Sequence, residues 1–227
     1  MQCTARWIFA AVIVFLPATA RSGDKQPIKL LTSQDQTTGV VAGWRAFSED
    51  PKTKPCEVWK LDDEGVLVCR GKPLGYLATD KEYADFTLRL QWRWPKGKPG
   101  KGGVLIRTTG PDKIWPKSLE AQINAPDAGD FWGLDGFPLS GPADRMKKLS
   151  NPQFGQLTNL KKTANLEKPA GEWNQYEIVA QGGAVTLSIN GQVVNRATDC
   201  AATPGRICLT SEGDEIHLRN IELVPGK

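Results

Sequence analysis

Glu120 and Gln122 stand two residues apart in Ser118-Leu119-Glu120-Ala121-Gln122-Ile123-Asn124, alternating with Leu119, Ala121 and Ile123. A period of two marks a strand with one apolar face, and it sets the carboxyl and the amide about 6.6 Å apart on the other face. Gly102-Gly103-Val104-Leu105-Ile106-Arg107 reads as a second strand, apolar at Val104 and Ile106, with Leu105 and Arg107 on the opposite side. If both apolar faces cover one core, Arg107, Glu120 and Gln122 project from the same sheet face. A carboxylate, a guanidinium and an amide held there, beside a loop carrying Trp115, suit a polyhydroxylated ligand. The plain alternative for Glu120 and Arg107 is a salt bridge on an exposed sheet.

Other residues extend this set. Arg89, Gln91 and Arg93 alternate with apolar residues and are expected on the same polar face as Arg107. Trp115 and Trp132 lie in loops, where an indole can stack on the C–H face of a ring or anchor the loop into the core. Asp130 and Asp135 are candidates for an additional acid. His217, the only histidine, alternates with Ile216 and Leu218 and points away from the core. No catalytic metal and no cofactor is expected from one histidine and unclustered cysteines, although loop carboxylates and carbonyls leave room for a structural calcium.

The elements that must position these residues are strands. Phe86, Leu88, Leu90, Trp92 and Trp94 alternate with Thr87, Arg89, Gln91 and Arg93, which makes one strand face a core wall. Asp62-Asp63-Glu64-Gly65 separates two short apolar runs as a hairpin turn, and Asn190-Gly191 does the same between two later runs. Strand signals recur between Gly, Pro and Asp, and no long helical period appears. Roughly eleven strands with little helix imply an all-β fold, a two-sheet antiparallel sandwich. Residues 125–168 break the rhythm and read as a long, functional loop region.

The 227 residues suit one domain. Residues 1–20 resemble a signal peptide, with an apolar run before Ala18-Thr19-Ala20, and 21–39 form a polar lead to a domain over 40–225. The apolar run is too short for a membrane anchor, so a secreted or periplasmic protein is expected. Cys56, Cys69, Cys200 and Cys208 remain beyond the leader, and two disulfides are expected, preferably Cys56–Cys69 and Cys200–Cys208. A net charge of +4 with scattered lysines gives no nucleic-acid patch. Nothing in the sequence fixes an oligomeric state.

The order Gly43-Trp44, Gly65 to Gly71, Tyr83 to Arg93, Gly103 to Arg107, Glu120-Ala121-Gln122-Ile123, Gly171-Glu172-Trp173-Asn174, Ile189-Asn190-Gly191 and Leu218 to Ile221 resembles the 3-keto-disaccharide hydrolase domain family. The resemblance implies a concanavalin A-like jelly roll in an exported bacterial protein acting on glycosides oxidised at C3. Gln122 cannot exchange a proton, so Glu120 and Gln122 cannot be the two carboxylates of an ordinary glycosidase. A C3 carbonyl relaxes that requirement by acidifying C2, so that one base and one oxyanion stabiliser suffice for elimination at C1 and later water addition. Glu120 is expected as the base, Arg107 as the stabiliser, and Gln122, Trp115, Trp132, Arg89, Gln91 and Arg93 as ligand contacts. The alternative is a carbohydrate-binding module of the same fold without turnover.

Overall fold

A computed structural model describes residues 25–35 and 38–226. The signal-peptide reading falls outside the described residues. The strands run β1 Ile28–Lys29, β2 Trp44–Ser48, β3 Trp59–Leu61, β4 Leu67–Cys69, β5 Gly75–Thr79, β6 Phe86–Arg93, β7 Gly103–Thr109 and β8 Lys117–Gln122. They continue as β9 Phe131–Leu134, β10 Met146–Asn151, β11 Gly155–Leu160, β12 Asn174–Gln181, β13 Ala184–Ile189, β14 Gln192–Ala197, β15 Arg206–Ser211 and β16 Ile216–Pro225. Among the described residues the helices are the four residues Pro55–Val58 and one 3-10 turn at Ala143–Arg145.

The strands form two antiparallel sheets. The front sheet has the order β14-β13-β12-β6-β16-β4-β3, with β1 also on β16, and the back sheet has the order β10-β11-β9-β8-β7-β15-β5-β2. The fold is an antiparallel jelly-roll sandwich of the concanavalin A type, as the alternation of the sequence implies. Phe86, Leu88, Leu90, Trp92 and Trp94 are all buried and pack on Leu77, Val104, Ile106, Leu119, Ala121 and Leu209 of the facing sheet. Each such side chain contributes about 1.5–3 kcal/mol when fully buried. Both expected hairpins form. The Asp62 carboxylate accepts from the backbone N–H groups of Glu64 and Val66 to close the first. Asn190 and Gly191 both take positive φ, 50° and 82°, to close the second with a twist that matches its strands.

Two expectations are corrected. Residues 125–168 are not one long loop: they carry β9, β10 and β11, which extend the back sheet, and Ala125-Pro126 is a cis peptide. The four cysteines are free thiols rather than two disulfides. Cys56 is exposed, whereas Cys69 faces the core and Cys208 the outer side of the back sheet. Cys200 contacts the Thr198 carbonyl and Cys208 the Thr108 hydroxyl, so neither expected pair meets. Burial pushes the Cys69 and Cys208 thiols up to about 12 and Cys200 up to about 11, which keeps them protonated and unreactive.

Candidate active site

The register of the back sheet determines which residues share its outer face. Arg45, Ala78, Cys208, Leu105, Glu120 and Trp132 are successive cross-strand partners from β2 to β9 and stand in one row. Tyr76, Thr210, Gly103 and Gln122 form the neighbouring row. Glu212 continues the outward alternation of Cys208 and Thr210 just past β15. Glu120 therefore faces outward, as its spacing implies, but the face is not openly polar. Tyr76, Ala78, Leu105, Leu134 and Cys208 form a second apolar cluster there, and Phe47, Trp115, Trp132 and Leu157 pack against it. Glu120 is only 4% exposed.

The loop 110–116 covers this face. Arg45 and Tyr76 both bond Asp112, with the Arg45 pair at 2.7 and 2.9 Å and the phenol at 2.7 Å. Burial alone would raise the Asp112 carboxyl, but these bonds outweigh it and hold the group below its ordinary value. Lys113 bonds Asp135 at 2.6 Å, and Trp115, at φ 53°, meets Phe154 edge-on with ring centroids 4.5 Å apart. A cavity of about 10 Å³, room for roughly one water, lies beneath, walled by Tyr76, Leu105, Trp115, Thr210 and Glu212.

Buried polar side chains in native proteins are almost always partnered. Among the described residues, Arg45 Nε, Glu120 Oε1, Trp132 Nε1 and Glu212 Oε1 are buried without a partner on this one face, and Trp92 Nε1 in the inner core is the other such atom. Burial pushes the Glu120 carboxyl well above the usual range, and the charges of Glu212 and Asp130 push it further. Burial raises Glu212 as well, and the neighbouring Thr210 and Trp115 and the charge of Lys101 only partly offset that rise. These surroundings favour the protonated carboxyl of Glu120 over the carboxylate base expected from the sequence.

Arg107 is also not where its alternation implies. The pairing of β7 and β8 shifts register between Ile106 and Thr109, and Arg107 takes φ 52° in that bulge. Its side chain, 1% exposed, donates to the carbonyls of Ala84 at 2.9 Å and Ala201 at 2.7 Å and pairs with Asp85 at 3.3 Å. The guanidinium ties loops together and does not serve the Glu120 face. Gln122 stays on that face, half-buried, while its backbone carbonyl accepts from the Tyr176 hydroxyl of the inner core. Asp130 is buried and its oxygens accept from Lys162 N–H and Asn159, with Lys161 at 3.3 Å.

Arg89, Gln91 and Arg93 belong to β6 and so face outward from the front sheet, on the opposite side of the molecule from Glu120. Arg89 pairs with Glu177 at 2.6 Å. The guanidinium carbons of Arg93 and Arg219 lie 4.5 and 3.9 Å from the ring centre of Trp173, and Arg219 bonds Gln91. His217 accompanies them, bonded to Arg93 and Glu215. Among the described residues no three acidic, histidine or cysteine side chains gather as a metal site. Glu212 was missed by sequence reasoning. The signal for it was the continued alternation of Cys208, Thr210 and Glu212 against Ile207 and Leu209.

The model of the 3-keto-alpha-glucoside-1,2-lyase-like domain matches residues 37–224. A candidate glycosyl hydrolase from Parabacteroides distasonis is 19% identical, with a TM-score of 0.61 over 88% of this chain and 94% of that one. A beta-glucanase of Bacillus licheniformis shares 12% identity with a TM-score of 0.56, covering 91% of this chain and all of its own (100%). A carbohydrate-binding module from Bacillus subtilis shares 14%, with a TM-score of 0.54 over 80% of this chain and 95% of that module. At these identities the likeness is one of fold. No curated protein matches the chain.

Proposed function

The chain belongs to the 3-keto-alpha-glucoside-1,2-lyase-like domain family, and from that premise we propose that it is an exported hydrolase cleaving 3-keto-glycosides on the outer face of its back sheet. The observation that carries this reading is the gathering of unpartnered buried polar atoms from Glu120, Trp132 and Glu212 on one face. In a 3-keto-glycoside the C3 carbonyl acidifies C2–H, so removal of that proton gives an enolate. Collapse of the enolate breaks the C1–O bond, and water then adds at C1. The departing oxygen needs a proton, and Glu120, kept neutral by burial, supplies it. The free indole N–H of Trp132 replaces Arg107 as the donor for an oxygen of the substrate. Gln122 and the Trp115 ring are the remaining sugar contacts.

Because Glu120 is covered, a sugar reaches it only when the 110–116 loop moves aside. Loops that close over a site and exclude water are common in such catalysis. The contacts of Asp112, Lys113 and Trp115 are the ones that must break.

The test is incubation of the purified protein with a 3-keto-disaccharide, following release of the reducing sugar. Turnover is expected, and Glu120→Gln should lower it by roughly 10²–10⁴ with sugar affinity kept. The second reading, sugar binding without turnover, is favoured by the Trp173 ring with Arg93 and Arg219 against it on the front sheet. Binding with no release of reducing sugar from any 3-keto substrate would select it.

A further inference from the structure

Resting on the reading above, we propose that Glu212 is the catalytic carboxylate that removes the C2 proton, and that it works with Glu120 as a proton-passing pair across Gly103. The two carboxyls come from strands that do not touch. Glu120 is on β8 and Glu212 follows β15, with β7 between them. Gly103 of β7 has no side chain, and the Glu120 carboxyl occupies the space above it. Thr210, two residues before Glu212, bonds both the N–H and the carbonyl of Gly103, at 2.6 and 3.1 Å. Glu212 itself lines the small cavity beside Trp115, and its Oε1 has no partner.

The surroundings divide the labour. Glu212 lies at the small cavity beside Trp115 and near the charge of Lys101, which favours its ionised form, whereas Glu120 lies between Leu105 and Trp132, its carboxyl across Gly103 with no cation beside it. A charge on Glu212 opposes ionisation of Glu120, so the carboxyl nearer the lysine ionises and the other keeps its proton. Asp130, the third acid of the face, is excluded because its oxygens are already occupied by Lys162 N–H, Asn159 and Lys161.

The cycle then balances. Glu212 takes the C2 proton and the C–H electron pair forms the enolate. The enolate re-forms the C3 carbonyl, a C1–C2 double bond appears, and the C1–O pair leaves with the proton of Glu120. Water next adds to C1, giving one proton to ionised Glu120, while Glu212 returns its proton to C2. Both carboxyls end in their starting states.

Two substrates and one exchange measurement test this assignment: 3-keto-glucosides with an alkyl and with a 4-nitrophenyl aglycone, and C2–H exchange in D₂O. Glu212→Gln should slow exchange and turnover of both substrates by roughly 10²–10⁴. Glu120→Gln should retain exchange, lose alkyl turnover to a similar degree, and keep most nitrophenyl turnover, because that leaving group needs no proton. If Glu212→Gln does not fold by circular dichroism, Glu212→Asp retains the charge one methylene short, and its exchange should fall at least about tenfold. Wild-type turnover together with unslowed exchange in the Glu212 variant overturns this inference alone. A wild-type protein that releases neither aglycone overturns the functional reading, and this inference with it.

Discussion

A Cβ built on Gly103 would lie 2.5 Å from Glu120 Oε1 and about 3 Å from the rest of the carboxyl: Cγ at 3.0 Å and Cδ at 3.1 Å. The glycine is there for room rather than for a special backbone angle, since only its missing side chain lets the carboxyl lie across β7. Gly103→Ala must displace Glu120. A folded variant with 3-keto-glycoside turnover reduced about tenfold or more is expected, at an overpacking cost of about 1–3 kcal/mol. Full turnover in Gly103→Ala would mean that the position of the Glu120 carboxyl does not matter to the chemistry.

Glu120 also makes stability depend on pH. Its folded-state proton affinity is raised above the ordinary carboxyl value of 4.5, chiefly by burial and further by Glu212 and Asp130. Above that value the unfolded chain releases the proton while the folded one keeps it, so this group costs stability progressively as pH rises from about 4.5 toward the folded-state value. Glu120→Gln removes that dependence. At pH 7 the variant should melt higher, by about 2–4 °C for each kcal/mol relieved, and the gap should close as pH falls to 4.5. Thermal scans across that range check the sign; a Gln variant that melts lower at pH 7 would show that the carboxyl is stabilised as an anion.

Local patterns were legible in the sequence where one neighbour decides the outcome. The alternation from Phe86 to Trp94 gave the core wall, Asn190-Gly191 gave the hairpin, and Glu120-Ala121-Gln122 gave the outward face. What alternation cannot give is the sheet to which a strand belongs, so Arg89, Gln91 and Arg93 were expected beside Glu120 although β6 lies in the other sheet. Nor does it mark the bulge at Arg107, where a non-glycine residue takes positive φ with no local signal. Glu212 was hidden for a third reason. Its nearness to Glu120 arises from the pairing of β15 with β7, a contact between distant parts of the chain.

Adjacent residues on β6 should respond in opposite ways. Trp92 is 0% exposed in the core, edge-on to both Trp94 and Tyr176, while Arg93 lies half-buried on the outer face over Trp173. Trp92→Ala should cost about 3–5 kcal/mol in chemical denaturation. Arg93→Ala should cost about 0.5–1 kcal/mol, the worth of an exposed cation–π contact. Matching midpoints for the two variants would contradict the register of the strand.

Arg107 offers a separation of structure from chemistry. Its guanidinium is buried, satisfies two backbone carbonyls from separate loops, and pairs with Asp85, which in turn accepts from Gly182 N–H. Arg107→Ala leaves the carbonyls of Ala84 and Ala201 without this donor and Asp85 without its cation. A loss of about 3–5 kcal/mol is expected, as when one partner of a buried pair is removed. Because the guanidinium serves loops away from the Glu120 face, turnover per folded molecule should stay near wild type below the lowered melting temperature. Active-site titration of the folded fraction separates the two effects. A hundredfold fall in turnover per folded molecule, with stability preserved, would return Arg107 to the role of oxyanion stabiliser that its position in the sequence implies.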